Sequence, residues 1–314
     1  MTRLLLPGTD LTVSSICYGT ADFGSGTSDA DVAALLNAYR DAGGTFVDTA
    51  HVYAAWTTAG AGSSERAIAR YLKANPTKEL VIATKGGHPT FPSYRTVERW
   101  LDPCRVRADV EDSLGRLDRE CIDLYYLHRD DLHFTVGEIV EMANEFVAGG
   151  LVRNLGASNW TRERLRAANE YAAAHGLRPF VVAQDQFSLA QRDPVPPEPY
   201  GSQGLYVQPE DMRFHAQTGL PLCAYSATGR GAFSGGTVPE AMDSAETRAR
   251  RARAGELARR TGHTPTQIAL GWLMHLPFPC IPITGTTSLH HLRENLGAAD
   301  VTLTDDETTW LQDG

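Results

Sequence analysis

Short runs of β-branched and aromatic residues recur along the chain, separated by segments whose apolar residues follow helical spacing. Val32, Leu35, Leu36 and Tyr39 fall at i, i+3, i+4 and i+7, which is typical of one buried face of an α-helix. Apolar runs of four to eight residues bounded by turn residues indicate buried strands. The pattern therefore predicts that strands and helices alternate through most of the chain.

The predicted elements form one repeating series after an N-terminal hairpin. The hairpin spans 3–16, with Pro7-Gly8-Thr9-Asp10 as its turn. The predicted strands are 16–19, 45–49, 80–84, 122–127, 152–158, 180–183, 221–225 and 280–284. Helices are predicted to begin after the Ser28 cap and at Asp102-Pro103, and to span 64–73, 136–149, 161–174, 210–217, 244–261, 266–275, 289–296 and 304–312. Loops rich in proline and glycine are predicted near 193–199 and 226–240.

Eight strand–helix units predict the α/β fold class and a closed (β/α)8 TIM barrel with an N-terminal β-hairpin. A doubly wound sheet is the alternative. That fold usually carries G-x-G-x-x-G after its first strand, and Gly19-Thr-Ala-Asp-Phe-Gly24 lacks this spacing. No composition shift divides the chain, so a single domain over 1–314 is predicted.

Composition and charge exclude several classes of protein. A formal charge of −9 disfavours nucleic-acid binding. No apolar run approaches the ~20 residues of a membrane span, and MTRLLLPGTD does not resemble a signal peptide. The five cysteines are scattered without a C-x-x-C, which indicates reduced thiols and a cytoplasmic protein. A monomer and a small homo-oligomer both stay open.

Four side chains are predicted to meet where the barrel strands end. Asp48, Lys85 and His128 stand at the ends of three consecutive strands, and Tyr53 lies in the loop after Asp48. In barrel enzymes, the carboxyl ends of the strands carry the chemistry. Singly, each of these side chains is more often a cap, a packing residue or a solvated charge, so the prediction depends on their convergence.

This set of groups suits the reduction of a carbonyl compound. A phenol with its ordinary pKa of ~10 is a poor proton donor, and a nearby ammonium is expected to lower that pKa. Lys85 supplies the ammonium, Asp48 pairs with Lys85, and His128 orients the carbonyl group. Because no side chain supplies hydride, a nicotinamide cofactor is implied.

The chain resembles the aldo-keto reductase superfamily over nearly its whole length, as a bacterial-type member with a short C-terminus. The motifs that carry the resemblance are Asp-Thr-Ala-His-Val-Tyr53, Gly62-Ser-Ser-Glu65, Ala-Thr-Lys85, Asp-Leu-Tyr-Tyr-Leu-His128, Gly156-Ala-Ser-Asn159, Ala-Tyr-Ser226 and Glu294-Asn295. The resemblance implies a catalytic tetrad of Tyr53, Asp48, Lys85 and His128. It also implies reversible reduction of an aldehyde or ketone by NAD(P)H.

The resemblance assigns cofactor-binding positions along most strand ends. Ser158, Asn159 and Gln184 would hold the nicotinamide carboxamide, and Phe187 would stack on the ring. The other positions implied to bind the cofactor are Gly19, Thr20, Asp48, Tyr225, Ser226, Ala227, Thr228, Gly229, Arg230, Gly285, Thr286, Thr287, His291, Glu294 and Asn295. Residues 285–288 include no lysine or arginine where relatives bind the 2′-phosphate, so NADPH is the default and NADH or dual use stays open.

The substrate pocket is predicted from residues just beyond the strand ends. These residues are Tyr18, Phe23, Trp56, His88, Arg129 and Trp160. Aromatic side chains mixed with charges suit a sugar-like or otherwise hydroxylated carbonyl compound. The short C-terminus predicts an open pocket.

Two other classes of function stay open. Some potassium-channel subunits resemble aldo-keto reductases, so a cofactor-sensing binding subunit with little turnover is the alternative to an enzyme. A metal-dependent hydrolase would need clustered metal ligands at strand ends, and the adjacent His290-His291 at a helix start suits this poorly, so no metal is predicted.

Overall fold

The computed structural model describes residues 1–89, 94–192 and 204–314. An antiparallel hairpin, β1 (Arg3–Leu5) and β2 (Thr12–Ser14), precedes a closed barrel of eight parallel strands. The barrel strands are β3 (Cys17–Gly19), β4 (Phe46–Asp48), β5 (Val81–Gly86), β6 (Ile122–Leu127), β7 (Val152–Ser158), β8 (Phe180–Gln186), β9 (Leu222–Tyr225) and β10 (Cys280–Gly285). Neighbouring strands follow chain order, and β10 closes the barrel by pairing with β3. The predicted barrel and hairpin are confirmed, and the doubly wound sheet is excluded.

Helices alternate with the barrel strands and cover them on the outside. They are α1 (Asp29–Asp41), α2 (Ser63–Ala74), α3 (Pro103–Leu117), α4 (Val136–Ala148), α5 (Arg162–His175), α6 (Pro209–Thr218), α7 (Ala245–Thr261), α8 (Pro265–Met274), α9 (Leu289–Leu296) and α10 (Asp305–Asp313). Ser28 caps α1 in a capping box with Asp31, and Asp102 caps α3 ahead of a proline at the first helical position. Local signals in the sequence therefore set where these helices begin.

Two apolar cores hold the fold together. The larger lies between the barrel and the helices, and it includes Leu36 of α1, Val110 of α3 and Trp272 of α8. The smaller fills the barrel with residues such as Phe46 and Leu124, and hairpin residues including Leu6 and Val13 join it. Because the hairpin leads directly into β3, it closes the amino end of the barrel. The carboxyl end is left for the site.

Three strands run further than their predicted ends, and β10 does so by one residue, to Gly285. β5 continues to Gly86, so Lys85 lies inside the strand, and β8 continues to Gln186, so Gln184 does too. Polar residues at the mouth end of these strands hide the extension from a hydrophobic pattern. The predicted proline-rich loop near 193–199 lies outside the described residues. The predicted loop 226–240 contains the short 3₁₀ turn Gly229–Gly231. Within the described residues, the helices are too short or too polar to span a bilayer.

Candidate active site

Asp48, Tyr53, Lys85 and His128 meet at the carboxyl end of the barrel. Asp48 is the last residue of β4, Lys85 lies on the neighbouring β5, and His128 directly follows β6. The Tyr53 ring contacts the His128 ring edge-to-face, with the ring centroids 6.2 Å apart. The structure therefore brings together all four side chains that the sequence predicted.

The Lys85 ammonium is held by three oxygen atoms. Its Nζ donates to Asp48 Oδ1 at 2.6 Å, to the Thr49 carbonyl oxygen at 2.7 Å and to the Tyr53 hydroxyl at 2.9 Å. An ammonium has three hydrogens, so every donor of Lys85 has an acceptor. Lys85 and Asp48 are both almost fully buried. A buried charge pair persists only when its hydrogen bonds are satisfied, which these contacts achieve.

The pKa of Tyr53 differs from what the sequence predicted. Burial raises the pKa of Tyr53 to about 12, and the opposing effect of Lys85 only partly offsets this. The expectation that the phenol pKa falls below its ordinary value is therefore wrong for this structure, because loss of water outweighs the ammonium. Although burial favours the neutral amine, Asp48 and Tyr53 raise the pKa of Lys85, which stays charged.

His128 is a neutral imidazole at the mouth. Burial, followed by the neighbouring His88 and Arg129, lowers the pKa of His128 well below its usual range. Its Nδ1 is buried without a hydrogen-bond partner among the described residues. Neither ring nitrogen is occupied by a described protein group, so this side chain can contact a ligand.

Three of the six predicted substrate residues lie next to Tyr53 or His128. Trp56 is half-exposed and contacts Tyr53, with the ring centroids 6.3 Å apart. His88 packs edge-to-face on His128 at a centroid distance of 4.7 Å. Arg129 is half-buried and donates from Nη1 to the His128 carbonyl oxygen at 2.9 Å. These three side chains form the described wall of the mouth.

The other three predicted substrate residues face away from the mouth, which corrects that part of the prediction. Tyr18 is buried in the outer core against Phe23 and Tyr39, and its hydroxyl donates to the Thr286 carbonyl oxygen. Trp160 is buried against Phe180 and lines a separate cavity of about 160 Å³ beside α5 and α6. Tyr18 lies on β3, where neighbouring residues point to opposite faces, whereas Phe23 and Trp160 lie in the loops after β3 and β7, so closeness in sequence to a strand end did not determine their direction.

The residues predicted to hold a carboxamide form one hydrogen-bonded network. Asn159 donates from Nδ2 to Ser158 Oγ at 2.8 Å and to the His128 carbonyl oxygen at 3.3 Å. Its Oδ1 accepts from the Tyr225 hydroxyl at 2.8 Å. Gln184 donates from Nε2 to Asp48 Oδ2 at 2.8 Å, which leaves its Oε1 without a described partner. The network fixes three amide and hydroxyl groups beside the tetrad.

The backbone amide of Phe187 donates to the Tyr225 carbonyl oxygen at 3.1 Å, but the Phe187 ring packs away from this network, which does not favour the predicted stacking role. It is buried in the outer core, where its ring contacts Trp272 of α8 at a centroid distance of 5.4 Å and also contacts Tyr206. Tyr225, at the end of β9, is the aromatic residue bonded to Asn159. The Tyr225 ring, rather than that of Phe187, is therefore placed beside the carboxamide residues.

The loop after β9 has the geometry of an anion-binding loop. Ser226, Gly229, Arg230 and Gly231 all have positive φ, a conformation that turns successive amides toward one side of a loop. The amides of Ala227 and Thr228 donate to no carbonyl oxygen among the described residues. Arg230 is exposed on this loop. The predicted pyrophosphate loop thus offers free donors and one guanidinium.

Residues 285–288, between the end of β10 and α9, are polar and include no lysine or arginine. Gly285, Thr287 and His291 are exposed, and Thr286 accepts from Ser288 N at 3.1 Å through its Oγ1. Ser288 caps α9, and His291 in the first turn of this helix is exposed to solvent. Glu294 is partly buried, and Asn295 is buried. Arg293 lies beside α1 residues on another face.

Thr20 directly follows β3, the strand that pairs with β10, and its side chain is held by hydrogen bonds. Its hydroxyl bonds to the Asp48 carbonyl oxygen and to Ser64 Oγ, both at 2.8 Å. A side chain added at Gly19 would meet Ile283 Cγ2 at 2.9 Å, so β3 and β10 approach closely here. Both residues shape the rim between the first and last barrel strands.

A family model described as the aldo/keto reductase family matches residues 15–313. The chain belongs to this aldo-keto reductase family. Members are oxidoreductases that reduce carbonyl compounds and generally use NAD(P)H.

Individual aldo-keto reductases are similar over nearly the whole chain. Norsolorinic acid reductase stcV of Emericella nidulans is 29% identical, with 99% of this chain and 80% of that protein covered. A probable aldo-keto reductase 1 of Glycine max is 30% identical, with 92% and 81% covered. The solved structure of the thermostable aldo-keto reductase Tm1743 with the inhibitor epalrestat superposes with a TM-score of 0.76, at 25% identity and 99% coverage of both chains.

One buried residue of this aldo-keto reductase, Glu65 of α2, was given no role by the sequence and contacts the strand that carries Lys85. Glu65 is fully buried, accepts from Thr84 Oγ1 at 2.6 Å and pairs with Arg116 at 3.2 Å. The motif Gly62-Ser-Ser-Glu65 supported the resemblance without a role for Glu65. Since Thr84 precedes Lys85 on β5, this ion pair supports the strand that carries the ammonium.

Proposed function

We propose that this protein reduces an aldehyde or ketone to an alcohol, with NAD(P)H as the hydride donor and the Tyr53 hydroxyl as the proton donor. The observation that carries the proposal is the bond between Lys85 Nζ and the Tyr53 hydroxyl, 2.9 Å long and buried beside a neutral His128. When bound, the nicotinamide cofactor would supply the hydride that reaches the carbonyl carbon. The described residues supply everything else.

Tyr53 acts as the general acid in this mechanism. Lys85 donates to the phenol oxygen, and the phenol itself donates to Asp48 Oδ1 over a long 3.4 Å, a weak bond that it can exchange for one to a substrate oxygen. The phenol is a weak acid in the free protein, but an alkoxide forming on the substrate is a much stronger base than a phenolate. Proton transfer then leaves a phenolate beside the Lys85 ammonium, which stabilises it.

His128 positions the substrate. A neutral imidazole donates one N–H hydrogen bond, and the carbonyl oxygen needs such a donor while charge accumulates on it. Asp48 accepts from Lys85 and, at 3.4 Å, from the Tyr53 hydroxyl through Oδ1, and from Gln184 through Oδ2, so it holds the ammonium in place. Each member of the tetrad thus has a different task.

We assign the cofactor to the network and loop at the mouth. Ser158, Asn159 and Gln184 would hold the carboxamide, with Tyr225 beside the ring. The support is the clustering of these groups next to Tyr53 and the free amides of Ala227 and Thr228. The lack of a lysine or arginine in residues 285–288 and at the exposed position of His291 supports weak discrimination between NADPH and NADH.

The polar wall of Trp56, His88 and Arg129 supports a hydroxylated carbonyl compound as the substrate. A panel of oxo-sugars, hydroxyaldehydes and simple aromatic aldehydes tests this choice. Reduction of aromatic aldehydes alone would contradict it.

The experiment follows the absorbance of reduced nicotinamide with purified protein, NADPH or NADH, and the carbonyl panel. Tyr53→Phe keeps the ring and removes only the proton donor, so turnover should fall by at least about a hundredfold. Cofactor binding, measured by quenching of tryptophan fluorescence, should stay within about threefold. Turnover of Tyr53→Phe within tenfold of wild type would reject the general-acid assignment. Cofactor binding without reduction of any compound would favour a cofactor-sensing subunit.

A further inference from the structure

Arg129 presents a guanidinium at the mouth that forms no ion pair with a described carboxylate, although its charge acts on the buried Asp185, whose pKa burial raises to about 8. Its one described hydrogen bond runs from Nη1 to the His128 carbonyl oxygen at 2.9 Å. In the same part of the protein, Arg95 pairs with Asp109 and Arg116 with Glu65. Partly buried cations usually find such partners, because a charge removed from water is costly without one.

The two acidic residues that follow Arg129 are occupied elsewhere. Asp130 accepts two bonds from Arg164, at 2.7 and 2.8 Å. Asp131 accepts from Leu101 N at 3.0 Å and from His133 Nδ1 at 2.7 Å. The sequence Arg129-Asp-Asp131 therefore looks self-neutralising, but the fold separates the positive charge from both carboxylates.

The guanidinium lies beside Gly204, which also approaches Tyr225 and Asn159 of the proposed cofactor site. A carbon added at Gly204 would lie 3.1 Å from the Tyr225 hydroxyl, 3.6 Å from Asn159 Oδ1 and 3.8 Å from Arg129 Nη2. The positive charge also contributes to the lowered pKa of His88 and His128 and opposes the rise in the pKa of Tyr53. Arg129 thus acts on the reacting groups while most of its donors stay unused.

We propose that Arg129 determines specificity by binding an anionic group on the carbonyl substrate, so that oxo acids or carbonyl phosphates are preferred over neutral compounds of the same shape. This inference rests on the proposed function. A guanidinium binds carboxylate and phosphate oxygens through paired N–H donors, and both anions share that chemistry. Nη2 and Nε of Arg129 have no described acceptor and can supply such a pair.

The test compares matched charged and neutral substrates. The pairs are 3- and 4-carboxybenzaldehyde against their methyl esters, and glyceraldehyde 3-phosphate against glyceraldehyde. In at least one pair, wild-type kcat/KM should favour the anion by about tenfold or more, which is the size expected for a hydrogen bond to a charged group. A preference in the benzaldehyde pairs alone would identify a carboxylate, and one in the glyceraldehyde pair alone a phosphate.

Arg129→Gln should reduce this preference to about one, mainly through KM, and Arg129→Lys should retain part of it. Arg213→Gln is the matched control, because it changes the net charge by the same amount. Arg213 is exposed on α6 and pairs with Glu210. That control should keep the wild-type preference. The ratio within each pair cancels any effect of Arg129 on the chemical step.

Three results would overturn the proposal. One is a wild-type enzyme that reduces the neutral compounds without preferring any anion. Another is a preference in Arg129→Gln within twofold of wild type. The third is a tenfold loss of NADPH affinity in Arg129→Gln with the preference intact, which would assign the guanidinium to the cofactor. If no compound is reduced, the proposed function fails. The role of Arg129 can then still be tested by calorimetric binding of 4-(hydroxymethyl)benzoate to the NADP⁺-loaded protein. Equal affinity in wild type and Arg129→Gln would reject its role.

Discussion

Gln184 donates from Nε2 to Oδ2 of Asp48 at 2.8 Å, although the two residues are 136 positions apart in the chain. Their strands, β8 and β4, lie four places apart in the barrel order, so the bond crosses the barrel interior. The other carboxylate oxygen accepts from Lys85 at 2.6 Å. Asp48 therefore joins the amide expected to hold the cofactor to the ammonium that supports the proton donor.

Asp48→Asn should destabilise the protein strongly, because it removes the counter-charge of a buried ammonium while keeping the size of the side chain. Removal of one partner from a buried pair costs about 3–5 kcal/mol. Chemical denaturation followed by circular dichroism measures this. Asp29→Asn is the control, since Asp29 pairs with Arg70 on the surface, and it should leave the midpoint unchanged. Equal effects of the two substitutions would contradict the charge-pair assignment.

The chemical step of reduction should depend little on pH between about 6 and 9. Tyr53, with a pKa of about 12, stays protonated, and His128, with its pKa well below the usual range, stays neutral. His88, with a pKa of about 4, also stays neutral. The measurement is single-turnover reduction of a neutral aldehyde at saturating cofactor. A limb near pH 6.5 would show that a histidine titrates in the step.

Asp185→Asn should stabilise the protein at alkaline pH and have little effect at acid pH. Burial raises the pKa of Asp185 to about 8, whereas the unfolded chain has the ordinary value of ~4. As the pH rises from about 4 to about 8, the unfolded carboxyl ionises first, so the folded state loses stability through this window.

Asparagine at position 185 does not ionise, so this loss of stability should disappear. Its side-chain oxygen can still accept the hydrogen bond that Asn159 N donates to Asp185 Oδ1 at 2.8 Å in the wild-type protein. Thermal melts at a series of pH values should show a gain for Asp185→Asn that grows with pH, to more than about 1 kcal/mol at pH 8. A gain that is the same at every pH would mean that the carboxyl is not buried in its protonated form.

His291→Arg should strengthen NADPH binding by about tenfold and leave NADH binding unchanged. His291 is exposed in the first turn of α9, and residues 285–288 before it include no lysine or arginine. A guanidinium there would meet the 2′-phosphate that only NADPH carries. Fluorescence titrations with both cofactors measure the effect, and His290→Arg is a neighbouring control. Parallel changes for both cofactors would place the phosphate elsewhere.

Parts of the site could be predicted because their signals are local. Asp48, Lys85 and His128 each close an apolar run that reads as a strand, and parallel strands of a barrel end on one face. The cap at Ser28 and the proline after Asp102 fix helix starts in the same way. The barrel follows from repetition of these units.

Other parts depended on contacts that no local pattern contains. Glu65 supports β5 through Thr84 and Arg116, which is 51 positions away. Lys85 and Gln184 extend their strands beyond the apolar runs, because Lys85 bonds to Asp48 on the neighbouring strand and Gln184 bonds to Asp48 across the barrel interior. The second of these bonds exists only after the barrel closes.

The sequence by itself determined the eight-fold alternation, the family and the four residues of the tetrad, because periodicity and residue chemistry are written along the chain. Only the tertiary structure decided that Tyr18, Phe23, Trp160 and Phe187 are buried in the outer core. Tyr18 lies on β3, where a shift of one position changes the face that a side chain occupies, and the other three follow strand ends, where packing in the loop sets the direction. The tertiary structure also decided that the pKa of Tyr53 rises although an ammonium touches it. That outcome depends on how much water the folded barrel excludes, which is a property of three-dimensional packing.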